Sequence, residues 1–154
     1  MSDVAPIEKR IDEFTRAWNA LDMAALAGLW AQDEQNIYYL AEEMDRPFEN
    51  FEAVQAYWDI TRKIIDRIAI TVEDVQCKML SDDIATATFR MHVDASMTGF
   101  SQQGFKPIGS DVKVTVILRN TSDGWRFIHY MEAHLGALPF IRQIYNRNVR
   151  TEFD

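Results

Sequence analysis

A single cysteine, Cys77, stands in a chain of 154 residues. No disulfide can close within it, and a reducing compartment is expected. Basic residues are also scarce: 16 Lys and Arg against 24 Asp and Glu leave a formal charge of −8. No basic stripe offers a track for a nucleic-acid backbone, and the same sign disfavours an anionic membrane surface. Long apolar runs are missing, with no window approaching the ~18 residues of a membrane-spanning helix. The opening "MSDVAPIEKRIDEF" carries charge where a signal peptide needs an apolar stretch. The expectation is a cytoplasmic protein with neither nucleic acid nor membrane as partner. Glycine-rich phosphate loops, a Gly-x-Ser-x-Gly elbow, His-x-His pairs and paired cysteines are absent too. A structural or catalytic metal needs at least three convergent ligands, and the dispersed His92, His129 and His134 offer no such set. Neither metal nor organic cofactor is expected.

Proline and glycine are few, 4 and 6, and no linker or repeat divides the chain. It reads as one domain over residues 1–137 with a C-terminal tail over 138–154. What is abundant is aromatic and apolar: 9 Phe, 5 Tyr and 4 Trp. Ile7, Ile11, Phe14, Trp18 and Leu21 form one helical stripe behind Pro6. Asp22 can cap a short second helix through Gln32, and "NIYYLAEE" (Asn36 to Glu43) reads as a strand. A third helix follows Asn50, with Phe51, Val54, Trp58, Thr61 and Ile65 on its stripe. From Ile68 onward the period is two, predicting strands at about 68–80, 84–98, 111–120 and 125–135, joined as antiparallel hairpins at "SDD" and "NTSDG". A phase slip predicts a β-bulge near Glu73–Asp74. "TGFSQQGFKPIGS" (Thr98 to Ser110) reads as a mobile loop. Helices first and a long meander afterwards predict an α+β domain: a curved, mostly antiparallel sheet with three helices on its concave face and a cone-shaped cavity between.

The stretch "TATFRMHVDAS" (Thr86 to Ser96) carries two alternating rows, Ala87, Phe89, Met91 and Val93 on one side and Thr88, Arg90, His92 and Asp94 on the other. From the pattern alone two phases are open. Either the apolar row meets the helices and the polar row meets water, or the polar row lines a pocket and the apolar row lies outside.

The order helix, helix, strand, helix, four strands, closing on "DGWRFIHYMEAHLGALPF", resembles the nuclear transport factor 2-like superfamily, and within it the SnoaL-like proteins of the ketosteroid isomerase and scytalone dehydratase type, a cystatin-like cone. The resemblance spans nearly the whole chain. It implies a concave face that carries the chemistry and an outer sheet face that forms a homodimer, which places Arg90 and His92 inward and Phe89, Met91 and Val93 under a partner subunit. By the same carry-over His92, Tyr38 and Arg90 are the expected catalytic groups. Asn36, Thr115, Phe127, His129 and Met131 are expected around a small hydrophobic or aromatic ligand, with helical walls from Phe14, Trp18, Trp30 and Trp58. No relative's mechanism transfers whole. The ketosteroid isomerase aspartate falls on Tyr38 and its oxyanion donors on Phe14 and Thr115. The limonene epoxide hydrolase Arg-x-Asp becomes Arg90-x-His92, and its second aspartate becomes Met131.

The expected function is therefore binding of a small, mainly apolar carbonyl compound. One form of it is cofactor-free dehydration, isomerisation or cyclisation by histidine acid–base chemistry. The alternatives are a non-catalytic ligand-binding or dimerisation module and, third, an adaptor working through the basic tail with Arg142, Arg147 and Arg150.

Overall fold

Ile7, Ile11, Phe14 and Trp18 form the buried stripe of α1 (Ala5–Asn19), with Pro6 in its first turn. A computed structural model describes residues 4–97 and 107–153. Asp22 caps α2 (Met23–Gly28), its side chain accepting the Ala25 N–H at 2.9 Å. This helix stops short of Gln32 because Trp30 leaves it to bridge Phe127 on the sheet. β1 (Tyr38–Leu40) is shorter than the alternation suggests. Asn50 caps α3 (Phe51–Ile64), again at 2.9 Å, from Ala53 N–H. α3 then passes into β2 (Ile65–Met79) with no loop between them.

β3 (Ile84–Met97), β4 (Ile108–Thr121) and β5 (Gly124–His134) complete a five-stranded sheet in the order β1-β5-β4-β3-β2. β1 runs parallel to β5, and the other pairs are antiparallel. The result is the α+β cone that the element order predicts. The bulge expected near Glu73–Asp74 is present as a register shift between Glu73 and Gln76, with Asp74 at φ +56°. Two further shifts, between Ile65 and Arg67 and between Ile117 and Leu118, have no counterpart in the sequence reading. The loop read at Thr98–Ser110 lies, for residues 98–106, outside the described residues, and Ile108–Ser110 already belong to β4. The tail forms α4 (Leu138–Arg147), a helix that buries no residue. Among the described residues no helix is long and apolar enough to cross a membrane.

The phase of β3 follows from packing. Ala85, Ala87, Phe89 and Met91 are buried in one cluster with Ile7, Ile11, Phe14 and Trp18 of α1. Each large apolar side chain so buried contributes roughly 1.5–3 kcal/mol, whereas an arginine taken into that cluster without a partner would cost several kcal/mol. The polar row is therefore outside, where Arg90 meets Asp74 at 2.6 Å and Glu73 at 3.3 Å. This corrects the inward placement of Arg90 and His92.

β2 is an edge strand, so half of its backbone groups lack a ladder partner. At Ile70 the gap is closed by Asn19, the last residue of α1. Its Oδ1 accepts the Ile70 N–H at 2.6 Å, and its Nδ2 donates to the Ile70 carbonyl at 3.1 Å. This two-way clamp fixes the end of α1 on the sheet. Asn19→Ala should lower stability by about 1–3 kcal/mol, since it strands two buried backbone groups. Urea unfolding measures it, and a loss under about 0.5 kcal/mol would contradict the clamp.

Candidate functional site

Between α1, the end of α3 and the inner faces of β2–β5 lies a cavity of about 420 Å³. Most of its wall is aliphatic, from Ile65, Ile68 and Ile70 of β2, Met91, Val93 and Ala95 of β3 and Val112 of β4. One side is different. Tyr39, Tyr57, Tyr130 and Glu132 stand there, with Glu42 and Glu43 at the solvent-exposed rim.

The register shift between β4 and β5 explains how this cluster forms. Between Ile117 and Leu118 the β4 register skips Ile128: Ile117 pairs His129, and Leu118 pairs Phe127. Phe127 consequently points inward together with Tyr130, while His129 and Met131 point outward. Parallel pairing then sets Tyr39 beside Tyr130, and their rings stack at 5.1 Å between centroids and 13° between planes. Tyr57, from α3, meets Tyr39 at 5.7 Å.

The polar atoms are coupled. The Tyr130 hydroxyl donates to Glu132 Oε1, and the Glu42 backbone N–H donates to Glu132 Oε2 at 3.2 Å. The Tyr57 hydroxyl donates to Glu43. His134 Nδ1 lies 3.2 Å from Glu42 Oε2 at the rim. Burial holds the Glu132 carboxyl above the usual carboxylate range, because an apolar wall solvates the anion poorly; the bonds from Tyr130 and the Glu42 amide pull the other way. Burial likewise raises the phenols of Tyr39 and Tyr130 far above their ordinary value, and that of Tyr57 as well. All three tyrosines are thus neutral hydrogen-bond donors at physiological pH. Tyr39 is 3% exposed, and its hydroxyl meets no acceptor among the described residues.

The expected site residues are distributed otherwise. Trp18 lines the cavity. Phe14, Trp30, Trp58 and Phe127 are buried in the aromatic core behind it, where the Trp30 indole N–H has no acceptor among the described residues and the Trp58 ring packs edge-on against Tyr39. Tyr38 is exposed on the outer face against the His129 ring, at 6.0 Å. Asn36 is exposed and bonded to Glu34. Thr115 and Met131 face outward with His129. Arg90 and His92 belong to that outer face, and His92 is held between Asp111 (2.8 Å) and Asp94 (3.2 Å). The apolar row meant to lie under a partner subunit is inside, so the outer face offers charged and hydroxyl groups in its place.

The tyrosine and glutamate cluster escaped the sequence reading because taking β5 in one unbroken phase set Tyr130 and Glu132 on the wrong side. One signal was available. A glutamate in phase with Tyr130, inside a strand whose partner alternates valine, is a charge at a core position. Among the described residues, no group of three or more His, Cys, Asp or Glu side chains has the arrangement of a metal site.

The chain belongs to the SnoaL-like domain family, whose model matches residues 7–133. Among solved structures it is similar to a candidate dehydratase of the nuclear transport factor 2-like family from Streptomyces avermitilis, at 18% identity and a TM-score of 0.74 over 88% of this chain and 97% of that one. A candidate calcium/calmodulin-dependent protein kinase II association domain from Xanthomonas campestris is similar at 12% identity and 0.72 over 90% and 91%. A candidate scytalone dehydratase from Novosphingobium aromaticivorans is similar at 9% identity and 0.69 over 85% and 83%. At these identities the structural likenesses establish the fold. No curated protein matches the chain.

The outer face gives a pH prediction. The hydrogen bond that the protonated His92 ring donates to Asp111 raises the His92 pKa, and the Asp94 charge adds to it. A raised value means that the imidazolium is favoured on folding. Its stabilising contribution is fully present below the free-imidazole value of about 6.5 and is lost as pH rises through the folded value. NMR titration of His92 should give a midpoint above that of free histidine, and Asp111→Asn should lower it. A wild-type midpoint at or below the free value contradicts the pairing.

Proposed function

We propose that this SnoaL-like protein binds a small, mainly apolar carbonyl compound in the cavity and catalyses proton transfer on it, with Glu132 as the acid–base group. The observation that carries this reading is a carboxyl group tethered by Tyr130 and the Glu42 amide, set in an otherwise apolar wall. Such a group has a pKa shifted toward the pH at which it can both take and return a proton. His92 plays no part in this reading, since its ring lies on the other face of the sheet.

The chemistry runs in two steps. Glu132 removes a proton from the carbon next to the carbonyl, and the C–H electron pair moves into the enolate, whose oxygen accepts the hydrogen bond from Tyr39. Glu132 then returns the proton. Delivered to a different carbon, it gives an isomer. Delivered to a β-hydroxyl, it lets that group leave as water as the carbon–carbon double bond forms, and the carboxylate is regenerated. Neither branch consumes an external reagent.

One observation favours a second reading, a ligand-binding module without turnover. The hydroxyls of Tyr57 and Tyr130 are already committed to Glu43 and Glu132, which leaves Tyr39 alone to polarise a substrate.

Glu132→Gln separates the two. Turnover of β-hydroxy carbonyl compounds or unsaturated ketones, followed by absorbance of the conjugated product, should fall roughly 10²–10⁴-fold, and kcat/KM of the wild type should rise with pH through a value above the ordinary carboxylate range. Stability should move the opposite way. A carboxyl whose pKa is raised on folding destabilises the fold progressively as pH climbs from the unfolded value to the folded one. The Gln variant should therefore melt at or above the wild-type temperature at pH 7. Turnover within tenfold of wild type removes Glu132 from the mechanism, and a panel with binding but no turnover favours the module.

A further inference from the structure

The charge of the cavity wall narrows the class of ligand. Among the described residues, every titratable side chain that lines it is a glutamate or a tyrosine, and no Lys, Arg or His side chain contributes to the lining. Each of the three glutamates has a side-chain partner, Tyr57 for Glu43, His134 for Glu42 and Tyr130 for Glu132. None of these partners is a lysine or an arginine. An anionic ligand would enter against that field. Removing two rim carboxylates and one wall carboxyl from water beside a neutral apolar ligand would leave their charge unbalanced.

The second observation is aromatic. Tyr39, Tyr57 and Tyr130 form one cluster, with centroid separations of 5.1 and 5.7 Å from Tyr39 to its neighbours. Ring faces attract an alkylammonium group through their quadrupole, more strongly where water is excluded. Buried phenols that stay un-ionised keep that role over the whole physiological range. In addition, the Tyr39 hydroxyl, on a residue 97% removed from solvent by its 3% exposure, lacks an acceptor among the described residues. It is poised to donate to an oxygen of whatever occupies the cavity.

We infer that the ligand is an organic cation, an apolar amine or ammonium compound bearing an oxygen acceptor, whose positive group sits at the Glu42–Glu43 rim and whose body fills the aliphatic wall. The inference rests on the cavity being the functional site, and it deepens that reading by fixing the charge of the substrate. It also removes an electrostatic difficulty. An enolate forming beside Glu132 would be opposed by the rim carboxylates, and a cationic substituent on the same molecule offsets them as the charge develops.

Isothermal titration of the full chain with three probes of one shape tests this: 2-naphthylmethylammonium, 2-naphthalenemethanol and 2-naphthoate. The ammonium should bind at least roughly tenfold more tightly than the alcohol, the carboxylate should bind least, and the ammonium's advantage should shrink as salt is raised. The double variant Glu42→Gln/Glu43→Gln should bring the ammonium to within about threefold of the alcohol, while retained alcohol binding shows that the cavity is intact. Equal binding of ammonium and alcohol, or preference for the carboxylate, overturns the cation inference and leaves the cavity reading standing. A double variant that keeps the full preference also overturns it. If none of the three probes binds, the cavity itself is not a ligand site and both readings fall.

Discussion

Phe89 and Met91 are buried against the same cluster that holds the stripe of α1, and the direction of each neighbouring side chain in the central strands follows from that contact. A strand has two faces, and once the apolar row is committed to the core the alternate row has no choice but the outer surface. The ladder transmits this from β3 to β4, where Val112, Val114 and Val116 are buried and Lys113 and Thr115 are not. It would carry on unchanged into β5 but for the irregularity at Ile128. That one extra residue is what turns Tyr130 and Glu132 toward the cavity, and with them the most strongly polar part of the inner sheet surface among the described residues.

The site therefore has its character through an exception to the rule that builds the rest. Three strands, β2 to β4, present aliphatic side chains to the hollow, and β1 and β5 present phenols and a carboxyl group at one edge of it. In so apolar a setting a carboxyl group cannot be solvated as it is in water. It is kept by donors fixed in place before any ligand arrives: the Tyr130 hydroxyl and the Glu42 amide. Those donors are supplied by β5 and by the segment after β1, which the parallel pairing of these two strands brings together. The arrangement on the outer face is a contrast in kind. Arg90 and His92 also have acidic partners, but both are exposed, and such pairs are worth little beyond local order.

Much of the fold was legible. The stripe of α1, the Asp22 and Asn50 caps, the switch to period two and the bulge near Asp74 are local patterns with local causes. The strand order that sets β1 beside β5 was not legible, since neither period nor turn chemistry says which strand the short β1 joins. The cavity wall was harder. Reading Arg90 and His92 inward gave weight to the chemistry of a motif over the cost of burying it, and the phase of β3 went with it. The error at β5 has another origin, since a single-residue register shift changes the facing of Phe127 relative to His129 without altering any nearby turn signal. Tyr39 was passed over in favour of its neighbour Tyr38 for the same reason: adjacent residues of a strand take opposite faces, and a displacement of one position exchanges them.

The junction of α3 and β2 has its own consequence. Ile64 ends the helix and Ile65 begins the strand, so Thr61, Ile65, Ile68 and Ile70 line the cavity along one uninterrupted length of backbone. A residue inserted there would turn the helix by about 100° and exchange the two faces of the strand at a stroke. Changes of chain length can be absorbed within the strand, which already carries a surplus residue between Ile65 and Arg67 and another between Glu73 and Gln76. Descendants of this sequence should accordingly vary in length at these bulges and hold the Ile64–Ile65 junction itself at a fixed count.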